Sequence, residues 1–94
     1  MNGIEIQTQG TYSRATAKGI IRLIDHHRGY GHFVVLEHPE GYYSIYGYLG
    51  SSLCDVGETV LKGQKIGMIS QEKNCLFFAI YQGNRALNPE EWLE

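Results

Sequence analysis

Apolar residues in this chain recur in short alternating runs, and none keeps helical spacing for more than about two turns. The runs fall at residues 4–6, 20–24, 33–36, 42–48, 60–61, 66–69 and 76–80. Turn-forming clusters separate them: Gln9-Gly10, Arg28-Gly29, His38-Pro39-Glu40-Gly41, Leu49-Gly50-Ser51-Ser52, Asp55-Val56-Gly57-Glu58 and Lys62-Gly63. Side chains along a strand alternate faces, so each run can cover only one side of a sheet. Several short strands spaced about ten residues apart imply an all-β sandwich or barrel. Twelve glycines against two prolines suit the tight turns this requires. One segment departs from the pattern. Leu87-Asn88-Pro89-Glu90-Glu91-Trp92-Leu93 reads as a short C-terminal helical turn, with Asn88 as N-cap and Pro89 at the first helical position. Trp92 and Leu93 are then expected to pack back on the sheet.

With 94 residues the chain holds one core, so residues 1–94 are read as one domain. A net charge of −2 argues against nucleic acid or an anionic membrane surface as partner, because both favour a basic stripe. No apolar run approaches the ~18 residues of a membrane span, so no membrane insertion is expected. Met1-Asn2-Gly3 leads straight into a strand pattern and predicts no signal peptide in this chain. That leaves a cytosolic protein or a domain of a longer exported one. Cys54 and Cys75 are expected as free buried thiols, and they do not fix the redox compartment. His26 and His27 fall in a polar Asp25-His26-His27-Arg28 turn, where solvated loop is expected.

The segment Val56-Gly57-Glu58-Thr59-Val60-Leu61-Lys62-Gly63-Gln64-Lys65-Ile66-Gly67 predicts two glycine turns, at Gly57 and Gly63, with Val60 and Ile66 pointing inward. It resembles a hairpin found in LytM-type (lysostaphin-like) endopeptidase domains and in biotinyl/lipoyl carriers. Carriers need an exposed lysine at a hairpin tip, which this segment does not offer. Further segments follow the LytM pattern in order: Gly3-Ile4-Glu5-Ile6, Gly10-Thr11 with Ala15 and Gly19-Ile20-Ile21, and the run from Gly29-Tyr30-Gly31 to His38. Ser44-Ile45-Tyr46-Gly47-Tyr48-Leu49, Leu76 to Ile80, and the ending with Asn88-Pro89 and Trp92-Leu93 complete it. The resemblance spans nearly the whole chain. It implies an antiparallel barrel-sandwich hybrid of the LytM/lysostaphin-like peptidase fold.

Enzymes of that family hold one zinc through two histidines and an aspartate, with further histidines handling water and oxyanion. Carried over residue by residue, the aspartate falls on Glu5 and a partner histidine on Met1. The T-x-Y-x-H histidine falls on Tyr48, and the final H-x-H pair on Cys75 and Phe77. A catalytic zinc needs three protein ligands and an open position. Glu5 and Cys75 alone do not meet that, so no catalytic residue, metal or other cofactor is expected. Glu5, Tyr48, Cys75 and Phe77 are instead vestigial active-site positions.

Alternation along 75–81 puts Leu76, Phe78 and Ile80 on a core face and Cys75, Phe77, Ala79 and Tyr81 on the other. Along the middle strand, Tyr43, Ile45 and Leu49 alternate with Ser44, Tyr46 and Tyr48. The expected result is a groove walled by Tyr46, Tyr48, Phe77 and Tyr81, joined by Tyr30, with Arg14, Lys73 and Arg85 at its rim. The same tyrosines could simply cap the sheet and close the groove with their own side chains.

Within the family, the degenerate domains of the EnvC/NlpD type look most similar. They lack zinc ligands, bind a cell-wall amidase and relieve its autoinhibition. The resemblance therefore implies a catalytically inactive activator of peptidoglycan hydrolysis in cell division or envelope remodelling. Its partner would be an amidase or another envelope protein, docked in the aromatic groove, and its location periplasmic or extracytoplasmic. A structural module of an envelope complex, or a peptidoglycan-binding domain stacking sugars on the tyrosines, stand as alternatives.

Overall fold

The computed structural model describes residues 3–7, 10–29 and 31–89. They form nine strands: β1 (Gly3–Gln7), β2 (Tyr12–Arg14), β3 (Gly19–His27), β4 (Gly31–Glu37), β5 (Tyr42–Ser52), β6 (Thr59–Val60), β7 (Lys65–Ile69), β8 (Cys75–Gln82) and β9 (Arg85–Ala86). A 3-10 turn, Pro39–Gly41, links β4 to β5. All pairings are antiparallel, and the main ladder runs β1-β8-β5-β4-β3-β6. β7 pairs with the far end of β5 and carries β2, while β9 continues along the edge of β8 that β1 leaves open. The sheet does not close into a barrel among the described strands. The expected C-terminal turn, with Trp92 and Leu93, lies largely outside the described residues.

Strand β5 joins the two ladders. Tyr42 to Gly47 pair with β8, and Leu49 to Ser52 pair with β7. The change falls at Tyr48, whose φ of 62° lies in the left-handed region that non-glycine residues rarely occupy. On the β4 side, three residue steps along β5 (46 to 49) span what two steps cover on β4 (32 to 34), which is a bulge. The extra residue resets the pleat. Ser44, Tyr46 and Leu49 all enter the core, while Tyr48 stays on the opposite face.

The core gathers Ile21, Val34, Leu36, Val60, Ile66, Phe78 and Ile80, each with no exposed surface, around the Tyr46 ring. Tyr46 and Phe78 meet at 5.4 Å between ring centroids. The Tyr46 hydroxyl accepts the Thr16 N–H at 3.1 Å and lies 2.9 Å from Ser44 Oγ. Ser44 Oγ is in turn 2.7 Å from His38 Nε2, and His38 Nδ1 is 2.7 Å from the Lys18 carbonyl. A carbonyl only accepts, so Nδ1 carries the proton. Ser44 Oγ, which donates to the Tyr46 hydroxyl, links that ring to His38 Nε2. His38, Ser44 and Tyr46 thereby satisfy one another's buried polar atoms in one connected chain, as burial demands.

Gly57 and Gly63 adopt φ of 92° and 86°, and Val60 and Ile66 are fully buried, as expected of the two-turn segment. It does not close a single hairpin, however. β6 pairs with β3, whereas β7 pairs with β5 and β2, so the segment bridges two parts of the sheet. Cys54 and Cys75 are both free and buried. The Cys54 thiol donates to the Ile66 carbonyl at 3.4 Å. Its burial, with the Glu58 and Asp55 carboxylates nearby, pushes its pKa up from 9.0 to about 11.

A folded-state pKa raised above the unfolded value means that the native chain holds the proton more tightly. The stability this thiol contributes is complete below the unfolded value of 9.0 and is lost as pH rises toward about 11. Urea midpoints compared between wild type and Cys54→Ala should therefore run parallel up to about pH 8.5 and converge or cross above it. A constant difference through about pH 11 would contradict the assignment.

Candidate functional site

The non-core face of β8 carries Cys75, Phe77, Ala79 and Tyr81, as the alternation predicts. Antiparallel register places the neighbours. Phe77 lies between Glu5 of β1 and Gly47 of β5, and Ala79 between Gly3 and Ile45. Directly opposed residues share a face, so these rows form one surface. Tyr48 is added by the bulge described above, and its ring tilts against Phe77 at 5.8 Å between centroids.

Phe77 fits there because two of its neighbours are glycine. A Cβ on Gly3 would come within 2.3 Å of the ring's Cζ, and one on Gly47 within 3.3 Å of Phe77 Cβ. The ring thus lies on bare backbone from both flanking strands and is only 6% exposed. Cys75 and Ala79 are buried beside it, with Ile45 and Tyr81 partly buried at the margin. This is a second small core rather than an open channel. The alternative in which side chains close the groove themselves describes its centre.

Glu5 is exposed at the edge of this cluster. Its Oε2 accepts from the Tyr48 hydroxyl at 3.0 Å, and its Oε1 lies 4.0 Å from Cys75 Sγ. Of the positions onto which the sequence resemblance carries the family's metal ligands, a carboxylate and a thiol remain. The carboxylate is engaged by a tyrosine, and the remaining ground is covered by a phenyl ring. Among the described residues no group of three His, Cys, Asp or Glu converges to hold a metal. A zinc ion does not fit this donor set.

Several expected site residues stand elsewhere. Tyr46 is fully buried in the main core, packed on Phe78, and is not a groove wall. The uniform alternation assumed for β5 fails at the left-handed Tyr48, so Tyr46 and Tyr48 face opposite ways. The tyrosine that shares the face is Tyr43, directly across from Tyr81. Arg14 is not at the rim either, because its Nη1 donates to the Gly63 carbonyl at the turn before β7. Lys73 is at the rim, with Nζ 5.1 Å from the Tyr48 ring centroid. Arg85 sits opposite Gln82, one residue beyond Tyr81. Tyr30 and Met1 lie outside the described residues.

Beside Tyr48 and Lys73 the surface opens into a cleft of about 320 Å³, which His26, His27, Arg28 and Glu72 also line. His26 and His27, expected in a solvated loop, are exposed at the end of strand β3. The expectation for the groove does not include Gly3 and Gly47 as partners of Phe77. Two glycines flanking one aromatic in register were the signal available.

Truncating Phe77 to alanine should open a cavity and lower unfolding free energy by about 3–5 kcal/mol. Tyr81→Ala, at the partly exposed margin, should cost about 1–2 kcal/mol. Urea denaturation of both variants checks the contrast. Equal losses would mean that Phe77 is not the anchor of this face.

The sequence profile of Peptidase family M23 matches residues 1–89. The murein hydrolase activator EnvC of Escherichia coli K12 is 40% identical over 90 residues, which are 92% of this chain and 22% of EnvC. Among solved structures, Csd3 of Helicobacter pylori superposes with a TM-score of 0.86 at 22% identity, over 98% of this chain and 26% of that one. The catalytic domain of lysostaphin from Staphylococcus simulans gives 0.82 at 22% identity, over 99% and 78%. These two likenesses establish the LytM/lysostaphin-like fold. The chain spans about a fifth of the length of the curated relatives it matches. It belongs to peptidase family M23.

Proposed function

We propose that this M23 domain is a non-catalytic, zinc-free interaction module that docks a cell-wall amidase and activates it outside the cytoplasm. The observation that carries the reading is the Glu5-Phe77-Gly47 row. A phenyl ring seated on two glycines occupies ground that a hydrolase would give to a metal ligand and a water. The 40% identity to EnvC, a murein hydrolase activator by name, supports activation as the outcome. It also supports a periplasmic or envelope location, and no helix among the described residues is long and apolar enough to cross a membrane.

The docking surface we assign is the face built on that buried cluster. Tyr81 and Ile45 form its partly buried margin around Tyr48 and Phe77, with Lys73 at its edge. Tyr30, which lies outside the described residues, is assigned to it from the sequence alone. Aromatic residues give large contact area at low entropic cost and dominate binding hot spots. An amphipathic helix of the partner would lay its apolar side along this face. Activation follows only if the domain binds the released form of the amidase more tightly than the autoinhibited form. To shift a partner from 1:99 to 99:1 released, that preference must reach about 10⁴-fold.

The test adds the purified domain to an autoinhibited amidase and follows solubilisation of labelled peptidoglycan. Wild type should raise the rate. Tyr81→Ala should reduce the stimulation about tenfold or more, equivalent to ~1.4 kcal/mol of lost contact, while its far-UV spectrum stays native. Undiminished stimulation by folded Tyr81→Ala and Tyr48→Ala variants would remove this face from the proposal.

A further inference from the structure

The β3–β4 hairpin places two imidazoles side by side. His26 and His32 are direct antiparallel partners, and their ring centroids are 4.9 Å apart at an interplanar angle of 66°. His26 is exposed and His32 partly so, on a hairpin whose tip borders the cleft beside Tyr48. Nothing in the function proposed above uses this pair.

We propose that His26 and His32 together form a surface site for one divalent transition-metal ion, separate from the family's catalytic position. A zinc ion sits ~2.0–2.1 Å from an imidazole nitrogen, which puts it ~3.2 Å from the ring centroid. Two centroids 4.9 Å apart then subtend about 100° at a shared ion, between the angles of square and tetrahedral coordination. The present edge-to-face arrangement needs only rotation about χ2, a broad torsion, to aim one nitrogen of each ring at a common point. The strand register does the rest, because it holds both Cα atoms opposite each other before any ion arrives.

Imidazole ligands suit copper, nickel and zinc, and the general order of affinity makes Cu²⁺ the tightest of these. Two protein ligands leave the remaining positions to water, so the site is exchangeable rather than structural. An ion there would cross-link the two strands near the hairpin tip and stiffen one wall of the cleft that holds Tyr48 and Lys73.

The experiment titrates Cu²⁺, and separately Zn²⁺, into tag-free protein by calorimetry, with copper broadening of backbone NMR signals to locate the ion. One equivalent of Cu²⁺ should bind, more tightly than Zn²⁺, with broadening centred on residues 26 and 32. His32→Asn and His26→Asn should each weaken binding about tenfold or more, and His27→Asn should leave it within about twofold. Unchanged binding in His26→Asn and His32→Asn, or no binding by wild type, overturns the site. Binding that instead disappears in Glu5→Gln or Cys75→Ser places the ion in the former catalytic groove. That outcome overturns both this site and the zinc-free reading, whereas loss only at the histidines leaves the zinc-free reading intact.

Discussion

The left-handed backbone at Tyr48 is the constraint on which the rest of this structure turns. One strand, β5, must pair with β8 and β4 along its first half and with β7 along its second. A regular strand keeps its alternation and would carry one set of side chains inward throughout. The bulge lets Tyr46 and Leu49 both face the core three residues apart, while Tyr48 crosses to the other side. A positive φ at a bulky residue costs of order 1–3 kcal/mol and persists only where the surroundings fix it. Here the Tyr48 hydroxyl is held by Glu5, its ring by Phe77, and its flanks by two ladders.

That reset separates two chemistries on one sheet. On the inner side, Tyr46 is part of a buried hydrogen-bonded chain through Ser44 and His38 to the Lys18 carbonyl. Its ring fills the core and its hydroxyl ties β5 to the segments around Thr16 and Lys18. The outer side carries a small buried cluster of Tyr48, Cys75, Phe77 and Ala79, at the positions onto which our proposal carries the zinc site of M23 enzymes. Fold and function therefore part company at a handful of side chains, and the shared scaffold does not decide between hydrolysis and docking.

Much of this was legible in the sequence. The short alternating runs specify the strands, and the facing of β8 follows from Leu76, Phe78 and Ile80 alone. The two glycine turns and their inward Val60 and Ile66 were also readable from spacing. The facing of Tyr46 was not. Period-two reasoning cannot see a bulge unless a glycine or proline marks it, and the residue in the left-handed region is a tyrosine preceded by the glycine. The seating of Phe77 needed strand register, because Gly3 and Gly47 are 44 residues apart in the chain and meet only across β8. Charge alone suggests Arg14 for the rim, whereas its guanidinium donates to the Gly63 backbone carbonyl, a partner that sequence spacing does not reveal. The His26–His32 pairing emerges once the hairpin is centred on Gly29.

The central claim is that the Phe77-centred cluster has replaced a catalytic zinc site. Incubating the domain alone with peptidoglycan cross-link peptides in saturating Zn²⁺, and following cleavage by mass spectrometry, tests it most directly. The account predicts no cleavage above buffer, with or without the metal. Zinc-dependent cleavage that Glu5→Gln abolishes would contradict it.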